Sequence, residues 1–99
     1  MAAVRTFQVT LTGSAQPISA ALPTGYPPLG RQVVLQNNDA AVMRVGDSTV
    51  TASKGYQLAS GGAANSALDL GQMENPIDLS TIFVIGTATQ KLDVTYVDE

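Results

Sequence analysis

Hydrophobic and polar residues alternate with a period of two along much of this chain. Near the N-terminus Phe7, Val9 and Leu11 are interleaved with Thr6, Gln8, Thr10 and Thr12, the pattern of a strand with one buried face. At the other end Leu92, Val94 and Tyr96 alternate with Lys91, Asp93 and Thr95 and predict a closing, surface-facing strand. Between them, residues 31–36 and 41–45 are β-prone runs separated by Asn37-Asn38-Asp39, residue types that tolerate positive φ and hydrogen-bond their own backbone. That spacing predicts a hairpin, with Val33 and Leu35 on one face and Val34 on the other.

The remaining segments are short and closely punctuated. Residues 13–17 break the first strand, and residues 18–22 suit either a brief strand or, given their alanines, an irregular piece. Residues 23–30 contain three prolines and two glycines, which excludes a helix and a central strand and predicts an ordered loop with extended parts. Residues 49–52 are β-prone, Ser53-Lys54-Gly55 is a turn, and residues 56–59 are extended again. A Gly-rich loop tip at residues 60–65 precedes a strand at 66–70, a turn at 71–76 and a helical turn at Asp78-Leu79-Ser80. The apolar run at residues 82–85 predicts a strand covered on both sides, joined to the last strand by a hairpin-length connection at 86–90. Roughly seven to nine short strands without an amphipathic helix specify an all-β fold, a single antiparallel β-sandwich or barrel. A strand number near eight favours a jelly-roll-like sandwich.

Ninety-nine residues are enough for one domain with one core. Residues 1–30 are expected to include an arm or loop that contacts neighbouring subunits. There is no Cys, so the fold must hold without disulfides or thiolate-bound metal. There is also no His, which removes the commonest general base and neutral metal ligand. Five Lys and Arg against eight Asp and Glu, with the positive residues scattered, argue against nucleic acid, which needs several phosphate contacts on one face. The start Met1-Ala2-Ala3-Val4 lacks a charged region followed by an apolar one, and no apolar run reaches membrane-spanning length. Neither secretion nor a membrane is expected, and the chain should be made in the cytoplasm.

Charged residues make up only 13% of the chain, against about a quarter in an average soluble domain. Thr, Ser, Gln and Asn supply part of the missing polarity. Either the surface is polar but neutral, or, the favoured expectation, part of it is covered by sister subunits or a larger assembly, because interface cores are depleted of Lys, Glu and Asp.

The chemistry-bearing constellations are sparse. Asp69, Glu74 and Asp78 match no calcium-loop spacing and read as solvated turn carboxylates rather than a paired acid and base. Gly46-Asp47-Ser48 sets an acid beside a hydroxyl, but no activating base accompanies it, so it reads as a turn. No enzyme, cofactor or metal is expected. Of the tyrosines, Tyr96 is placed in the core, Tyr56 is a candidate contact residue, and Tyr26 is either an exposed contact or a loop anchor.

The segment from residue 31 to 97, with "QNN", "VGDSTVTASKG" and "IFVIGTATQKLDVTYV" in that order, resembles small virion proteins of tailed bacteriophages. It covers about two thirds of the chain. The resemblance implies a capsid decoration or cement protein, a β-sandwich that forms homo-oligomers, trimers above all. Such a protein sits on the capsid surface of the virion and bridges subunits of the major capsid protein. The alternative it implies is a small tail or head-fibre component that binds a host receptor or glycan. For an interface, Tyr26, Pro27, Pro28 and Leu29 are the first candidates, because a rigid loop loses little entropy on docking; Thr6, Gln8 and Thr10 on the first strand come next.

Overall fold

The computed structural model describes residues 3–98, and their alternating pattern becomes two antiparallel sheets of four strands each. The first sheet runs β1 (Val4–Thr10), β8 (Lys91–Asp98), β3 (Leu29–Asn37), β6 (Ala67–Asp78). The second runs β2 (Gln16–Pro17), β7 (Phe83–Ile85), β4 (Met43–Gly46), β5 (Tyr56–Leu58). The inward positions of the first sheet, among them Phe7, Val9, Val33, Leu35, Leu92, Val94 and Tyr96, pack with Met43, Val45, Leu58 and Val84 of the second. Each such side chain contributes on the order of 1.5–3 kcal/mol by leaving water. Phe7 and Tyr96 meet edge to face, ring centroids 6.0 Å apart, an arrangement that their ring quadrupoles favour.

The pairing β1 with β8, β2 with β7, β3 with β6 and β4 with β5 traces one long two-stranded ribbon. Contacts of β8 with β3 and of β7 with β4 then close the ribbon over on itself. Two predicted hairpins therefore do not exist. β3 and β4 lie in opposite sheets, as do β7 and β8, so residues 38–42 and 86–90 are arches that cross the sandwich. The arch after β3 is held by Asn37, fully buried, whose Nδ2 donates to the carbonyls of Ala41, Leu58 and Ala59 while its Oδ1 accepts from Asp39 N–H. Residues that suit a tight turn suit this crossing equally, because both need local side-chain partners for the backbone.

Other expectations are corrected as well. Residues 71–76, expected to turn, run within β6, which bulges at Gly71 (φ +78°) and carries Pro76. Both are tolerated because β6 is an edge strand, where a missing N–H breaks no ladder. Residues 18–22 form a 3-10 turn (Ile18–Ala21) rather than a strand, and residues 49–52 contribute only a bridge from Thr51 to Lys54. β8 closes the chain but lies in the middle of its sheet. The run at 82–85 is covered fully on one side and partly on the other: Ile82 and Val84 are buried, while Phe83 and Ile85 are half-buried. The first strand and the helical turn, here Leu79–Thr81, stand as expected.

Candidate functional site

The loop at residues 23–28 is anchored from both sides. Tyr96 Oη donates to the Pro27 carbonyl at 2.7 Å, and Leu79 N–H donates to the Pro28 carbonyl at 2.9 Å. With three prolines already restricting φ, these bonds hold the loop in one shape. Tyr26 is half-buried against the core, and the Arg5 guanidinium lies 5.3 Å from its ring centroid, within cation–π range. Tyr26 is thus a loop anchor rather than a free contact. Pro28 is exposed, Pro27 is half-buried, and Leu29 is the half-buried first residue of β3.

Arg5 also ties the chain ends together. Its Nε donates to Asp98 Oδ2 at 2.7 Å, and Ala3 N–H donates to Asp98 Oδ1 at 2.8 Å. Asp98 is buried, so its carboxylate exchanges water for these donors. The Arg5 bond, and after it the Ala3 amide, hold its pKa below the ordinary carboxylate value. This residue belongs to the fold; Glu99 lies outside the described residues, as do Met1 and Ala2 of the expected arm.

Thr6, Gln8 and Thr10 come together on the outer face of the first sheet. The register sets Thr6 beside Thr95, then Val34, then Asp69, and Gln8 beside Asp93, then Gln36, then Ala67. The polar groups bond along this face: Gln8 Nε2 to Asp93 Oδ1 at 2.9 Å, Lys91 Nζ to Thr10 Oγ1 at 2.7 Å, Thr6 Oγ1 to the Val94 carbonyl at 3.1 Å. Strand geometry makes the face broad and polar, with Lys91, Asp93 and Asp69 as its charged members. Val4, 71% exposed, stands at its corner, and Arg5 beside it touches Tyr26, so the two groups of candidate residues meet at the start of β1.

The carboxylates that were weighed for chemistry are spread out. Asp69 Oδ1 caps Gly71 N–H, and Asp78 Oδ1 accepts from Ser80 N–H and Oγ. Asp47 Oδ1 accepts from Thr49 N–H and Oγ1. The bonds from Ser80 and Thr49 lower the pKa of Asp78 and Asp47. These are turn carboxylates, and among the described residues no group of His, Cys, Asp or Glu could hold a metal ion.

A third surface escaped the sequence reading. The sandwich is plugged along one edge by the 3-10 turn, where Ile18 is buried and Ala21 and Leu22 pack on the core. Along the other edge it gapes, because β6 spans twelve residues and its opposite number β5 only three. The result is a groove of about 550 Å³ lined mainly by Leu35, Val45, Tyr56, Leu68, Leu70 and Ile77, with Asp47 and Lys54 at the rim. Leu68 and Leu70 flank Asp69 with the right alternation, but nothing in the sequence shows that their cover stops short. No family model, curated protein or solved structure matches this chain.

Proposed function

We propose that this chain is a structural protein of a phage virion, a capsid decoration or cement protein that bridges subunits of the major capsid protein. The observation that carries the reading is the outer face of the first sheet, where Thr6, Gln8, Thr10 and Thr95 form a broad polar surface beside the exposed Val4, with Asp93 and Lys91 already hydrogen-bonded to Gln8 and Thr10 within it. Such a surface meets a partner at reduced desolvation cost, since the charged groups of Asp93 and Lys91 keep these hydrogen bonds when water leaves. The double anchor of the loop at 23–28 adds a preformed contact next to it, one that docks with little loss of entropy. We read the rolled-ribbon strand order as a jelly roll, an architecture that recurs in viral capsid domains, although a fold by itself assigns no activity. The sequence resemblance read from residues 31–97 is where the phage assignment comes from, and no comparison with known proteins bears on it. A homotrimer, seated where three capsid subunits meet, fits a protein that must contact several copies of one partner.

Light scattering of the purified chain, followed by co-sedimentation with empty capsids, tests the proposal. A trimer that pellets with capsids supports it, and substitution of Thr6 and Thr95 by Lys should then abolish pelleting while leaving the trimer folded. A chain that stays in the supernatant shifts the weight to a tail or head-fibre component binding a host receptor or glycan. That second reading draws on Tyr56, 46% exposed, the kind of amphipathic aromatic that recognition surfaces favour.

A further inference from the structure

We propose that the groove between β5 and β6 receives an extended segment of a different protein, in which apolar and basic residues alternate, as an added strand. The inference rests on the groove alone and does not require the capsid reading.

Both walls of the groove are edge strands. Among the described residues β5 pairs only with β4 and β6 only with β3, so each leaves one side of its backbone without a ladder partner there, the arrangement that accepts an added strand. The floor is apolar: Leu68, Leu70 and Ile77 are half-buried, and Tyr56 is exposed at the lip. A strand laid along Ala67 to Leu70 would turn every second side chain onto this floor and the others outward, level with Asp69. The inward residues are therefore apolar.

Charge decides the outward ones. Asp47 and Lys54 line the groove, and Asp69, Glu74 and Asp78 are exposed along β6, its longer wall. Against these four carboxylates stand three cations: Lys54, whose Nζ donates to Thr49 Oγ1 at 2.8 Å, Arg31, whose Nη1 donates to the Glu74 carbonyl at 2.9 Å, and Arg44, whose Nη1 donates to the Gly55 carbonyl at 2.9 Å. The surplus is negative, and an incoming Lys or Arg beside Asp69 is complementary to it. Pro76 and the bulge at Gly71 confine regular pairing to the first residues of β6, so the segment is short.

The chain itself does not supply this strand. Its two strongly alternating segments, Val4–Thr10 and Lys91–Asp98, are paired with each other through their full length, and the N-terminal end is fastened by Ala3 to Asp98. A second copy would have to unfold to donate either.

The test titrates the full chain with short synthetic peptides: one alternating Val with Lys, one alternating Val with Glu, and one with the Val and Lys residues in separate blocks. The alternating Val-Lys peptide is expected to bind at least about tenfold more tightly than either control. It should slow amide exchange at residues 67–70 and shift the NMR signals of Leu68, Leu70 and Tyr56. Asp69→Lys, at an exposed position that leaves the core intact, should weaken binding about tenfold, whereas Thr6→Lys on the opposite edge should not. Equal binding of all three peptides, protection away from β6, or no binding at roughly 1 mM peptide would overturn the proposal. So would a dimer in the absence of peptide whose protected amides lie on β6, which would assign the groove to a second copy.

Discussion

At Asn37 a polar side chain is wholly buried, and its amide nitrogen is shared among three carbonyls from two separate segments. Replacing it by Ala would leave those carbonyls in a dry site and is expected to destabilise the fold by about 2–3 kcal/mol, measured by urea denaturation. Asn37 was legible as a turn residue because the chemistry of a turn is local. Its role between the sheets was not legible, because Leu58 and Ala59 are brought to it only by packing. Asp98 makes a second residue-scale prediction. Its folded pKa is depressed by Arg5 and then by the Ala3 amide, so its contribution is fully present above the unfolded carboxylate pKa. That contribution is lost as pH falls through the folded value. Asp98→Asn should therefore be less stable than the native chain at neutral pH, and the gap should close as pH drops below the ordinary carboxylate range. Urea midpoints across a pH series check this, and a gap independent of pH would show that shape rather than charge matters there.

Among the elements, the loop at 23–28 and strand β6 show how far local composition carries. The prolines exclude regular structure over residues 23–28, so the character of that part was readable, whereas Leu29 and Gly30, expected to belong to the loop, begin the central strand β3 because Leu29 is paired with β6 and Gly30 with both β6 and β8. The loop's anchoring by Tyr96 was not readable, since the two are 69 positions apart in the chain. Tyr96→Phe keeps the ring against Phe7 and removes only the hydroxyl bond. It should cost about 1 kcal/mol and speed amide exchange within residues 23–28, as read by hydrogen–deuterium exchange. β6 misleads in the opposite sense. Gly71 and Pro76 are turn formers by intrinsic preference, yet an edge position asks for fewer ladder bonds than a central one, so the strand continues through both. The groove follows from the same element, because β6 outruns β5 and leaves its inner face without cover.

Over the whole molecule, the ladders join segments far apart in sequence: β1 pairs with β8, so the two ends of the chain meet in the first sheet. Pairing of this kind closes long loops before any contact rewards it, and folding is expected to take milliseconds to seconds, as stopped-flow fluorescence of the tyrosines can measure. β8 also lies between β1 and β3 and carries Leu92, Val94 and Tyr96 of the core. A chain ending before Lys91 should therefore lose the whole fold rather than one strand, giving a circular dichroism spectrum without β-structure. The sequence by itself determined the all-β class, the inward and outward faces of β1, β3 and β8, and the sparse charge of the surface. Each of these depends on the period of side chains along a strand or on composition. Tertiary structure alone decided which strands pair, that two apparent hairpins are crossings, that Asp98 is buried, and that one edge of the sandwich stays open. Those outcomes depend on which distant segments cover one another, and neither local preference nor alternation encodes that.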